Sequence, residues 1–198
     1  MTVLLISSHS ANNQNVFELS TDNHREYCER HGYTYRPVEE PYNPYTNTTL
    51  IGQVLQDFDV VVNIGCDCII QHPETPVSDF VHSGFTIGKE LHSDTMNADV
   101  IIWTREALQM FKDIERYQHN YNTGQEFINR LYKDWYPFIH IEPYLQIAAP
   151  RMNPTQNYKG IDTKRYWVIH YHTIGYSPVP RAKANAMKLD ACLKAQQG

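Results

Sequence analysis

The chain has 198 residues, 41% hydrophobic and 12% aromatic against 20% charged, with a formal net charge of −5. That is enough apolar mass for one buried core and too little charge for a disordered chain. No apolar run approaches the roughly 20 residues of a membrane span, and Met1–Ile6 is too short and uncharged for a signal peptide. The four cysteines, Cys28, Cys66, Cys68 and Cys192, are too sparse for a disulfide scaffold and are expected to be reduced in a cytosol.

In chain order, Thr2–Ser7 reads as a buried strand, a leucine and β-branched run stopped by Ser7-Ser8-His9-Ser10. Helical spacing follows over Gln14–His31, with Gly32 as its stop. Thr34–Pro37 is a second strand, the prolines of 41–44 mark a loop, and Thr48–Phe58 has a helical apolar face. Asp59–Ile64 is an unbroken apolar run, as a strand covered on both faces requires. Phe85–Gly88, Val100–Trp103 and Tyr166–Tyr171 read as further strands, and Arg105–Tyr117 and Gln125–Tyr132 as helices. The alternation predicts an α/β fold: a single Rossmann-like domain over 1–198 with a mostly parallel central sheet and an irregular C-terminal half.

Charge divides along the chain. Residues 1–100 carry four Lys and Arg against 14 Asp and Glu, and residues 101–198 carry 13 against eight. Lys159, Lys164, Arg165, Arg181, Lys183, Lys188 and Lys194 crowd the last 40 residues, opposed by Asp162 and Asp190. Such an end suits a phosphate-bearing ligand, or the asymmetry means only that one half supplies more solvated acidic helix.

Open α/β sheets bind ligands beyond the carboxyl ends of their strands. The residues there are Ser7, Ser8 and His9 after the first strand, Gly65-Cys66-Asp67-Cys68 after the central one, and His170-Tyr171-His172 at the last. Carboxylate and imidazole together suit a divalent cation. Asp67 alone reads equally well as a turn acceptor, and a histidine in an aromatic strand as a core residue. Cys66-x-Cys68 with His170-x-His172 offers a rival zinc centre, although its cysteine spacing is tighter than usual and two buried cysteines explain it more simply.

Five segments, taken in order, resemble the GT-A-fold glycosyltransferases, especially the retaining galactosyl- and glucosyltransferase families 8 and 34. Tyr27-Cys28-Glu29-Arg30-His31-Gly32-Tyr33 is similar to a helix end of that group. Leu55–Ile70 is similar to its D-x-D segment, Asn97-Ala98-Asp99-Val100 to its N-A-G-V, Gly124–Asn129 to its D-Q-D-x-L-N, and Val168-Ile169-His170-Tyr171 to its C-terminal V-x-H-F. Three positions depart. Gly65 stands where the family places the first aspartate of D-x-D, Asp99 replaces a glycine, and the G-x-x-K-P-W ending is reduced to Gly175-Tyr176-Ser177-Pro178.

The resemblance implies transfer of a sugar from a nucleoside-diphosphate donor, most simply a UDP-sugar, to a hydroxyl acceptor, with retention and with Mn²⁺ or Mg²⁺ bridging the phosphates. It implies Asp67, His170 and, if the alignment slips by two, His172 as metal ligands. Gln125 would lie near the anomeric carbon, Glu126 would orient hydroxyls or act as base, and Asp99 would enter the catalytic group or repair the metal site. Ser7, Ser8, Asn97, Arg181 and Lys183 are the expected donor and acceptor contacts. A saccharide, a protein or hydroxymethylated phage-type DNA are the acceptors expected in a bacterial or viral-host cytosol. A non-catalytic carbohydrate-binding relative, suggested by the 14 tyrosines, is the alternative.

Overall fold

Val3–His9 forms β1, and its side chains alternate into two apolar layers. Leu4 and Ile6 pack with Ile51, Leu55 and Phe111, while Val3 and Leu5 pack with Tyr27, Cys28 and Trp167. A run of consecutive apolar residues is therefore what both of its faces need. The computed structural model describes residues 1–9, 14–39, 46–89, 96–117, 130, 135–148 and 162–171.

Helix α1, Gln14–His31, has the bounds the sequence predicts and buries Val16, Phe17, Ser20, His24, Tyr27 and Cys28 along one stripe. It ends at Gly32, whose φ of 68° is open to glycine, and the Tyr33 N–H donates back to the Cys28 carbonyl at 2.8 Å. Then come β2 (Thr34–Glu39), α2 (Thr46–Val54), β3 (Val60–Gly65), β4 (Cys68–Ile70), β5 (Phe85–Lys89), β6 (Met96–Thr104), α3 (Leu108–Tyr117), β7 (Ile139–Ile141), β8 (Gln146–Ala148) and β9 (Val168–His170).

Six strands form the central sheet in the order β2-β1-β3-β6-β5-β7, and β4-β9-β8 form a smaller one. The β2–β1, β1–β3 and β5–β7 pairs are parallel, and β6 is antiparallel to both of its neighbours. Five strands thus run one way and β6 alone runs back, which agrees with the mostly parallel α/β sheet expected.

The expected strand at Val100–Trp103 begins earlier, at Met96. Across the single step from Ile87 to Gly88 in β5, the partner in β6 jumps from Ile101 to Asn97. This bulge takes Ala98, Asp99 and Val100 out of the β5 register, and bulges re-aim side chains in this way. The helix expected over Arg105–Tyr117 opens instead with a 3₁₀ turn at Arg105–Ala107 before α3. The helix expected over Gln125–Tyr132 lies outside the described residues, apart from Arg130. Strands β4, β7 and β8 span three residues each, too few for a period-two pattern to appear in a sequence.

Candidate active site

The turn Cys66–Asp67 leads from β3 straight into β4. Antiparallel pairing sets Cys68 opposite His170, and the Tyr171 N–H donates to the Asp67 carbonyl at 2.9 Å. Backbone pairing therefore brings the end of the central strand and the far end of the described chain to one place. The β6 bulge delivers Asp99 to the same place.

His170 Nε2 lies 3.6 Å from Asp67 Oδ2 and 3.4 Å from Asp99 Oδ2. One donor atom from each of the three residues lies within 4.8 Å of the others. Both nitrogen–oxygen separations exceed a normal hydrogen bond. They are close to the spacing of donor atoms sharing one cation at about 2.1 Å from each. Two carboxylates and an imidazole form a mixed oxygen and nitrogen set that suits Mn²⁺ and related divalent cations.

Burial grades across the cluster. The side chains of His170 and Asp67 are 2% and 10% exposed, whereas that of Asp99 is 38% exposed and forms the open side. The Asp99 N–H donates to Asn97 Oδ1 at 2.9 Å, the Asn97 amide nitrogen lies 3.4 Å from His170 Nδ1, and Gln146 Nε2 donates to the Asn97 carbonyl at 2.9 Å. Asn97 thus holds the Asp99 backbone and lies against the Nδ1 edge of His170, so that it supports two of the three donor residues.

Gly65 explains how the cluster forms without the first aspartate of the pair. A Cβ at Gly65 would stand 2.9 Å from Asp67 Oδ1 and 3.5 Å from Asp99 Oδ1. The carboxylates of Asp67 and Asp99 crowd the space that a side chain at position 65 would enter. Asp99 thereby brings a second carboxylate to the place where Gly65 brings none.

Of the other expected site residues, Ser7 is fully buried within β1, opposite Pro37 and Ile64, and Ser8 pairs with Gly65 at the rim of the sheet. Asn97 is buried. Gln125, Glu126, His172, Arg181 and Lys183 lie outside the described residues. Of the rival zinc centre, His172 lies outside the described residues, and its two cysteines pack apart from each other. Cys68 packs in the layer of Val3 and Trp167, and Cys66 packs with Val16, Phe17 and Tyr171. Cys28 stays a thiol, because burial pushes its pKa up to about 12. A second group, His82, His140 and Glu142, was not anticipated, since His82 stands far in sequence from the His140-x-Glu142 pair.

The chain shares its fold with solved structures of glycosyltransferases. Solved structures with the same fold include a glycosyltransferase involved in glycosylation of the major capsid of PBCV-1, with a TM-score of 0.71, 14% identity and coverage of 96% of this chain and 100% of that one. The galactosyltransferase LgtC, in complex with donor and acceptor sugar analogs, aligns with a TM-score of 0.55 and 11% identity over 94% of each chain. Mouse xyloside xylosyltransferase 1 aligns with a TM-score of 0.51 and 8% identity over 86% of this chain and 97% of that one. No family model and no curated protein sequence matches the chain.

Proposed function

We propose that this chain is a glycosyltransferase whose donor is a nucleoside-diphosphate sugar, UDP-linked and transferred with retention, held through a divalent cation on Asp67, Asp99 and His170. The observation that carries the reading is the meeting of those three side chains, from the β3–β4 turn, the β6 bulge and β9. A bound Mn²⁺ or Mg²⁺ would supply positive charge to the diphosphate as the bond between its oxygen and the sugar's anomeric carbon breaks.

The chain's own residues do the rest. Asp67 and His170 form the buried floor, and Asp99 forms the open side where the diphosphate approaches. Asn97 Oδ1 accepts from the Asp99 N–H and so holds that stretch of β6, and its amide nitrogen lies against the Nδ1 edge of His170. The lack of a side chain at Gly65 leaves the space used by the two carboxylates. Gln125 and Glu126, by their resemblance, would face the anomeric carbon and the acceptor hydroxyl. Arg181 and Lys183, in the basic C-terminal stretch, would add charge to the departing phosphate.

Titration calorimetry of UDP and UDP-sugars, with and without Mn²⁺, tests the reading. The expected result is binding that Mn²⁺ strengthens and that Asp67→Asn or Asp99→Asn weakens at least about tenfold, as loss of metal-site groups commonly does. Mass spectrometry of a donor panel should then show sugar release or transfer. Absence of nucleotide-sugar binding in both conditions would overturn the proposal.

A further inference from the structure

At the β7 edge of the central sheet lies the second group of ligating side chains, which shares no residue with the first. His140 sits in β7 opposite Thr86 of β5, and Glu142 follows two residues later. Two-residue spacing on extended chain turns both side chains to one face. The Glu142 N–H donates to the Ile87 carbonyl at 3.0 Å, which ties the end of β7 to β5. One Glu142 oxygen accepts from the Tyr144 N–H at 3.1 Å, and the other stands 3.8 Å from His140 Nε2.

His82 reaches this face from the segment leading into β5. Its ring stacks on His140, with centroids 3.5 Å apart and planes at 24°. The approach is built into the backbone. Gly84, two residues after His82, has a φ of 89°, and a Cβ there would fall 2.0 Å from the carbonyl oxygen of Phe138, two residues before His140. Only glycine lets the two segments come this close.

We propose that His82, His140 and Glu142 form a second cation site, for a borderline transition ion of the Zn²⁺ class. The donors are two imidazoles and one carboxylate within 4.8 Å of one another, the set that holds zinc with a fourth position left to water. It is richer in nitrogen than the first cluster, so it favours Zn²⁺ over Mn²⁺ or Mg²⁺. His82 is exposed, and one of its ring nitrogens lies within 4.8 Å of the ligand atoms of His140 and Glu142. The bound ion clasps the lead-in of β5 to β7, an outer strand of the sheet.

Equilibrium dialysis of the full chain against Zn²⁺ tests this. Wild type should take up one more equivalent than His82→Ala or His140→Ala, and Asp67→Asn should retain that equivalent. His82→Ala removes an exposed side chain and should leave Mn²⁺-dependent UDP binding unchanged. Equal Zn²⁺ uptake by wild type and both histidine variants overturns the site. Since the two clusters share no residue, that result would leave the nucleotide-sugar reading standing.

Discussion

His24 is a fully buried imidazole whose Nε2 meets the Cys68 carbonyl at 3.0 Å, while its buried Nδ1 has no hydrogen-bond partner among the described residues. Protonation would place a second N–H, and a charge, where none of these accepts it, and burial accordingly lowers its pKa from 6.5 to about 4. The unfolded chain therefore binds a proton more readily than the folded one between those values. Stability is full above about pH 6.5 and falls as pH drops toward about 4, by about 3 kcal/mol in all. Urea unfolding across that range should show the decline, and His24→Gln should flatten it. An equal decline in the variant would contradict the assignment. At this scale the sequence was partly legible. Asp67 and His170 stood out because strand ends are where open sheets bind ligands. Asp99 was legible as a carboxylate that would enter the catalytic group or repair the metal site, but the route that brings it beside Asp67 and His170 was not, since that depends on a bulge defined only when β6 pairs with β5.

Gly84 shows the same limit for whole elements. Its carbonyl accepts from the Thr104 N–H at 2.9 Å, its own N–H donates to Thr104 Oγ1 at 2.9 Å, and its Cα faces the Phe138 carbonyl. Alanine there meets a left-handed backbone and a backbone oxygen at once, and neither yields cheaply. Gly84→Ala should lose at least about 2 kcal/mol of stability, measured as a lower urea midpoint. An unchanged midpoint would show that β5 and β7 are not pinned together at this glycine. Nothing in the sequence around Gly84 announces this constraint, because the atom that excludes a side chain belongs to a residue 54 positions away. Helix α1 was readable in full for the opposite reason: its apolar stripe and its glycine stop are local. In the small sheet, β9 was readable within the strand expected over Tyr166–Tyr171, whereas β4 and β8 were not, because these three-residue strands are defined only by pairing with β9 from elsewhere in the chain.

Across the whole molecule, the two apolar layers hold the central sheet rigid while the candidate site draws on its margins. Leu4, Val61, Ile101 and Trp103 face one layer, and Leu5, Val62, Val100 and Ile102 face the other. Strands β1, β3 and β6 are thereby fixed from both sides, and the turn after β3 and the bulge in β6 inherit that rigidity. Asp67 and His170 are about a hundred positions apart in the chain, so an unfolded chain cannot present them together. A cation that needs both, with Asp99, binds the folded state alone and stabilises it by mass action. At a hundred times its dissociation constant, Mn²⁺ should contribute about 2.7 kcal/mol, which raises the melting temperature of a chain this size by about 5–10 °C. Differential scanning fluorimetry in Mn²⁺ against a chelator reads the shift directly. Asp67→Asn and Asp99→Asn should each remove most of it, and His82→Ala should retain it. A shift that survives loss of both carboxylates would mean that the cation binds elsewhere and that the meeting of β3, β6 and β9 serves packing alone.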